Sequence, residues 1–186
     1  VDSDVLMLKK RFFVDDAQIS RDDPVQLHLV YVQSKNNIVA GEMPCTRAEA
    51  VQFAALQCQI DFGNHNPTLH KEGFLKPSDF IPPAFHKDKK FESEVVAEYR
   101  KLVGMSELNT KYRYVQLCRS LKTYGITFFQ VQQKDKGQKK PANRLLGVTR
   151  DSIIFMEPQS KDIVKEYELT HLKRWAASPA SFTLDF

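Results

Sequence analysis

At Gly125 the spacing of apolar residues changes from the 3.6-residue period of a helix to the two-residue period of a strand, and it does not change back. A doubly wound sheet needs strands and helices in alternation, so this single switch points instead to an α+β chain of two small lobes. A length of 186 residues fits that reading and is too short for a TIM barrel or a two-domain dehydrogenase.

Before the switch, each helix carries its own start and stop signals. Asp22 or Asp23 can cap a helix with Pro24 at its first position. Leu27, Val30, Tyr31 and Ile38 form its stripe and Gly41 ends it, which predicts a helix over 24–40. Thr46 followed three residues later by Glu49 is a capping box, and Phe53, Leu56 and Ile60 extend one face toward Gly63. Residues 64–90 hold four of the 9 prolines, so only short helical turns fit there. Val95, Val96, Tyr99, Leu102 and Val103 recur at helical spacing up to Gly104. Ser106 can cap a last helix over 107–124, with Leu108, Tyr112, Val115 and Cys118 in period until Gly125.

After Gly125 the expected strands are Ile126 to Gln132, Arg144 to Thr149, Ser152 to Met156, Ile163 to Leu169 and Ser181 to Phe186. A boundary near residue 105 is expected, giving a helical lobe over 1–105 and a strand lobe over 106–186 into which the last helix leads. Phe186 falls inside an alternating pattern, so the strand lobe is expected to be incomplete at its C-terminus. The acidic start Val1-Asp2-Ser3-Asp4, without Met, reads as an excised piece and not as a signal peptide.

Composition narrows the function classes. Hydrophobic content of 42% with 27% charged residues is that of a folded domain. Stretches free of Asp, Glu, Lys and Arg reach only about 11 residues, short of the ~18 that a spanning helix needs. Cys45, Cys58 and Cys118 are odd in number and far apart, which suits a reducing compartment better than a disulfide framework. The net charge of +4 selects no partner, but its distribution does. Lys134, Lys136, Lys139, Lys140 and Arg144 crowd one connection between strands against the single acid Asp135. Lys71, Lys76, Lys87, Lys89 and Lys90 recur in the proline-rich stretch, against Glu72, Asp79 and Asp88. Basic loops on a nearly balanced chain suit an anionic lipid surface, and the loops lack the interleaved aromatics that would stack nucleic-acid bases. A solvated hairpin whose lysines discourage edge aggregation fits the first cluster equally well.

Chemistry is sparse. No phosphate-binding glycine loop, nucleophile elbow or metalloprotease helix occurs, so no enzyme, cofactor or metal is expected. His65 and His70 are five apart across a proline and read as loop histidines in solvent; Cys58 and Cys118 read as small core residues. With so little chemistry on it, a hydrolase or transferase built on the helical lobe gains little support. Trp175 is either a core residue or the aromatic of an exposed edge strand, as the flanking Lys173, Arg174 and Pro179 suggest. Such an edge is what an incoming peptide needs to add a strand and bury one side chain.

Six runs carry a family resemblance: Lys173 to Pro179 (KRWAASP) with Ser181 to Phe186 (SFTLDF), Arg119 to Gly125 (RSLKTYG), Arg144 to Thr149 (RLLGVT), Asp23 to Gln33 (DPVQLHLVYVQ) and Gln57 to Gly63 (QCQIDFG). The chain resembles the second and third lobes of the FERM module in the talin family. The resemblance implies an all-α, acyl-CoA-binding-protein-like lobe followed by a phosphotyrosine-binding or pleckstrin-homology-like antiparallel sandwich. It implies a cytoskeletal adaptor at cell-adhesion sites, cytoplasmic and peripheral at the plasma membrane, that binds integrin β tails at an Asn-Pro-x-Tyr motif and links them to actin. The strand of Lys173, Arg174, Trp175, Ala176, Ala177 and Ser178 would pair with the tail, Arg174 and Trp175 shaping a pocket for a tail aromatic. Lys134, Lys136, Lys139, Lys140 and Arg144 would meet the membrane-proximal tail and the bilayer, while Lys71, Lys87, Lys89 and Lys90 orient the body on phosphoinositides and other anionic phospholipids. Other parts of the same longer protein are further partners; another receptor tail, or phosphoinositides alone, is the alternative ligand, and acyl-CoA follows only by fold analogy. Three departures stand out: Pro141 replaces an apolar residue that presses on the tail, Glu92 replaces a base, and the family's closing strand and C-terminal helix would follow Phe186.

Overall fold

The computed structural model describes residues 9, 19–133 and 140–186, and the chain divides into two compact units, Val1–Gly125 and Ile126–Phe186. In the first, Asp23 Oδ1 accepts from the Gln26 amide at 2.8 Å and Pro24 opens helix α1 (Pro24–Ala40). Thr46 and Glu49 form the expected reciprocal cap, Thr46 N donating to Glu49 Oε2 at 2.7 Å, at the start of α2 (Arg47–Phe62). A short helix α3 (Pro77–Phe80) and a 3₁₀ turn at Pro83–Phe85 occupy the proline-rich stretch, followed by α4 (Phe91–Arg100) and α5 (Glu107–Ser120).

α2 is the axis of this unit. Nearly all of it from Ala50 to Gln59 is buried, which is why that run tolerates no charge and favours small residues such as Ala54 and Ala55. α4 and α5 pack against it and α1 packs against α5. Tyr114 of α5 sits edge-on to Tyr31 at 5.1 Å and tilted on Phe53 at 4.9 Å. The amide nitrogens of the two glutamines taken inside are paired: Gln57 Nε2 donates to Asp79 O at 2.9 Å and Gln59 Nε2 to Met105 O at 2.9 Å.

The boundary expected near residue 105 falls instead between Gly125 and Ile126. The stripe of Thr110, Tyr114, Val115 and Cys118 on α5 is fully committed to the helical core, so this helix is part of that lobe and no lead-in to the strands. The helix also stops at Ser120, short of the expected Tyr124: Leu121 turns extended, and Thr123 Oγ1 donates to Pro44 O at 2.6 Å, holding the exit segment to the helical unit.

The second unit is antiparallel. Strands β1 (Thr127–Gln133), β2 (Ala142–Val148), β3 (Ser152–Met156) and β4 (Ile163–Glu168) form one sheet in chain order; β5 (Arg174–Ala177) and β6 (Phe182–Asp185) form a second. Period-two alternation placed β3 without error and β1, β2, β4 and β6 within about two residues; β5 was not among the strands it gave. One face of the larger sheet buries Leu145, Ile154 and Met156 with Ile126 and Phe128. The opposite face carries Val131, Leu146, Phe155 and Tyr167, which with Leu184 and Phe186 line a cleft of about 850 Å³. Tyr167 stacks on Phe186 at 4.6 Å across it.

Gly147 lies between Phe128 and Ile154 in register, and a Cβ there would sit 2.8 Å from side-chain carbons of both. Gly147→Ala is therefore expected to destabilise the strand unit by about 1–3 kcal/mol. Hydrogen exchange of β2 and β3 amides reads this directly; unchanged protection would mean that Ile154 and Phe128 yield freely.

Candidate peptide and membrane interface

All six residues from Lys173 to Ser178 are exposed. β6 occupies one margin of β5, with Arg174 opposite Asp185, Trp175 opposite Leu184 and Ala177 opposite Phe182; among the described residues no strand pairs with the other margin. The hairpin closes on a serine turn, Ser178 N donating to Ser181 O at 2.8 Å. Arg174 Nη2 and Nε donate to Asp185 Oδ2 at 2.8 and 3.2 Å, an exposed pair that braces the hairpin. Trp175 is 65% exposed, its ring 6.3 Å from Phe182. Of the two readings open for this indole, the structure takes the exposed one.

The basic connection divides. Lys134, Lys136 and Lys139 lie outside the described residues, and Lys140 is exposed just before β2. Arg144 does not belong with them. Its Nη1 donates to Glu157 Oε2 at 2.7 Å and to Asn143 O at 3.1 Å, and its side chain is only 18% exposed. Position 144 is inside a strand, where the pleat decides which way a side chain points, so Arg144 ties β2 to the turn after β3. That pairing gives Arg144 a role within the strand unit that the lysines before it do not share.

Lys71, Lys87, Lys89 and Lys90 are all exposed or nearly so on the helical unit. Two acids organise the segments that carry them. Asp88 Oδ1 accepts from Lys90 N at 3.0 Å, while its Oδ2 meets Arg47 Nε at 2.5 Å. Arg47 also forks onto Glu94 at 2.6 and 3.0 Å, and its guanidinium holds both the Asp88 and Glu94 carboxyls below the usual carboxylate range. Glu92 Oε1 accepts from the Gly73 and Leu75 amides at 2.9 and 3.2 Å. The acid that departs from the family pattern thus fastens the segment after Lys71 to the first turn of α4. Sequence reasoning missed Arg47, whose partners lie 41 and 47 residues away, a separation that leaves no local signal.

His65 and His70 are not the solvent-facing loop residues expected. Both are half-buried, with ring centroids 5.5 Å apart, each packed on Tyr99 at 5.3 and 5.4 Å. The thiols of Cys58 and Cys118 are buried and pushed far up by that burial, so neither is a nucleophile near neutral pH. Among the described residues no group of three His, Cys, Asp or Glu could hold a metal, and no helix is long and apolar enough to cross a membrane.

The FERM central domain family matches residues 17–129, and the PTB domain family of IRS-1 type matches residues 129–186. Over 185 residues, 100% of this chain, the sequence is 62% identical to Talin-B of Dictyostelium discoideum and 45% identical to Talin-1 of Gallus gallus. The chain spans 7% of the length of each. Among solved structures, the Dictyostelium discoideum Myosin VII MyTH4-FERM MF1 domain matches 95% of this chain and 36% of its own at a TM-score of 0.72 and 14% identity. The human Myosin 7b C-terminal MyTH4-FERM domain, solved with the harmonin-a PDZ3 domain, matches 84% of this chain and 33% of its own at 0.63 and 20% identity. These two carry the fold alone.

Arg144→Ala leaves Glu157 without its partner and is expected to cost the strand unit about 1–3 kcal/mol in urea denaturation. Partition onto anionic vesicles should change by less than about twofold, since no lipid-facing charge is lost. A larger loss of partition with stability intact would return Arg144 to the membrane surface.

Proposed function

The chain belongs to the FERM family, as a piece of a talin-type head, and on that premise we propose that it is a non-catalytic adaptor that joins a receptor tail and the inner leaflet to the cytoskeleton. The free margin of β5 takes an extended peptide by strand addition, main-chain hydrogen bonds supplying affinity and Trp175 supplying a surface for one tail aromatic. An integrin β tail with an Asn-Pro-x-Tyr motif is the ligand class that fits a phosphotyrosine-binding-type lobe in this family. Arg174, paired with Asp185 on the same hairpin, braces the strand and with Trp175 shapes the pocket for the tail aromatic. The exposed Trp175 beside an unpaired margin carries this reading: a 65% exposed indole buries little in its own fold.

Lipid attachment is the second half of the reading. Lys71, Lys87, Lys89 and Lys90, together with Lys140 and the lysines before it, attract anionic headgroups, including phosphoinositides. Each contributes about 1 kcal/mol near the surface within a Debye length of ~8 Å. The division of labour is direct: exposed lysines hold the body to lipid, while β5 selects the tail.

Lys87→Glu combined with Lys89→Glu is expected to weaken partition onto phosphatidylserine and phosphoinositide vesicles by at least about tenfold, with affinity for a soluble Asn-Pro-x-Tyr peptide unchanged. Trp175→Ala should do the reverse, costing about 2 kcal/mol of peptide affinity in calorimetric titration and leaving vesicle partition intact. Equal losses in both assays for either variant would refute the division. Peptide affinity that survives Trp175→Ala would remove the indole from the site, and no peptide binding by the unmodified chain would reduce the function to lipid attachment.

A further inference from the structure

α2 ends at Phe62, and the loop that follows folds back on itself through one reciprocal pair. The Asn66 amide donates to His70 Nδ1 at 3.0 Å, and the His70 amide donates to Asn66 O at 2.9 Å. Asn66 Oδ1 completes the turn by accepting from Thr68 N at 2.9 Å. The first of these bonds depends on protonation: an imidazole nitrogen that accepts from an N–H must carry a lone pair, so the bond can form only while Nδ1 of His70 bears no proton. His70 is then packed between Phe62 at 5.5 Å, Phe74 at 5.1 Å and Tyr99 at 5.4 Å.

His65 is the second half of the arrangement. Its ring stands edge-on to Tyr99 at 5.3 Å, 5.5 Å from the His70 ring, and its Nε2 is buried with no hydrogen-bond partner. The surrounding charges are few, and the carboxylates on the neighbouring helices are bonded elsewhere. From α4 come the Arg100 cation, which acts on His65, and the Tyr99 phenol, whose hydroxyl is spent on Gly63 O at 2.5 Å and is pushed up to about 12 by burial. α2 contributes the Phe62 ring, and its Asp61 bonds to Gln57 Nε2. Glu92 of α4 is taken by the Gly73 and Leu75 amides. Burial first, then Arg100 and His70, hold His65 below the ordinary imidazole range.

We propose that His65 and His70 form a proton-operated latch on the loop over 64–73, closed while both imidazoles are neutral and opened by protonation, which frees the segment beside Lys71 for an anionic lipid surface. A proton on His70 Nδ1 abolishes the bond from Asn66 and turns an acceptor into a donor facing a donor. A proton on each ring then sets two like charges about 5.5 Å apart, beside Arg100 and, among the described residues, with no carboxylate paired to either ring. The opened loop presents Lys71 together with two imidazolium charges, and an anionic leaflet attracts protons to the same place, so attachment and opening reinforce one another. The lipid half of this inference rests on the attachment proposed above; the latch itself does not.

The direction of the pH dependence follows from linkage. The folded state holds His65 below its unfolded value near ~6.5, so its contribution is fully present above about pH 6.5 and is lost as pH falls through the folded value. An NMR titration of the chain from pH 8 to pH 5 is expected to show Asn66 amide protection falling in step with the His70 ring transition. His65→Phe, which keeps the packing and removes the like charge, should move that transition to higher pH; His70→Phe should abolish it. In parallel, partition onto phosphatidylserine vesicles should rise about threefold or more between pH 7.5 and pH 5.5 in the unmodified chain and stay flat in His70→Phe. Asn66 protection that persists through protonation of His70 overturns the latch. A latch that opens without the His70-dependent rise overturns its coupling to lipid, whereas absence of vesicle binding at every pH overturns the lipid reading and leaves the latch standing.

Discussion

The helical unit depends on one constraint, that α2 must be covered on nearly every side. An uncharged run from Ala50 to Ile60 can be buried only if other helices surround it, and α4 and α5 do so directly, closely enough for Ala54 and Ala55 to be fully enclosed. The ends of the same helix then become organising points. Arg47 at its first position reaches across to Asp88 and Glu94 and steadies the turn that bears Lys87, Lys89 and Lys90. Phe62 at its last position packs on His70 and begins the loop that leads to Lys71. The two exposed basic segments of this unit are thus mounted on opposite ends of its most buried element. That is how a surface with few internal contacts acquires a defined backbone.

The strand unit solves the opposite problem. Its larger sheet has one buried face, where Gly147 lets Phe128 and Ile154 meet, and one face whose apolar side chains line a cleft. The small β5–β6 sheet has no such burial, and its residues from Lys173 to Ser178 are all exposed. What orders Lys173 to Ser178 is mainly polar and local, the Arg174–Asp185 pair and the serine turn between Ser178 and Ser181, while Phe186 at the far end stacks on Tyr167. A strand held this way keeps a margin and an indole available to a ligand at modest cost in stability, because short-range hydrogen bonds supply the order that packing supplies elsewhere.

Much of this was readable along the chain. The Thr46–Glu49 capping box, Asp23 before Pro24, and the alternation of Ser152 to Met156 each led to an element at the observed place. The lysine clusters were readable for the same reason, since charge runs are local features, whereas the flanks of Trp175 left core and edge strand both open. The failures share one cause, which is distance in sequence. Arg144 looked like one more cation beside Lys140 until the pleat aimed it at Glu157, 13 residues on. The histidines looked like solvated loop residues until Tyr99 of α4 arrived beside them. The last helix looked like a lead-in to the strands until its buried stripe met α1 and α2.

Local pattern was therefore enough to set the α+β class, the helix caps, the strand order along the chain and the absence of catalytic motifs, because propensity, capping and periodicity act over a few residues. Only the folded chain could assign α5 to the helical lobe, bring Arg47 to Asp88 and Glu94, turn Arg144 inward, leave Trp175 outside, and press His65 and His70 together against Tyr99. Those outcomes depend on which surfaces meet after the elements have formed. Burial and ion pairing between residues dozens of positions apart leave no periodic trace in the order of amino acids.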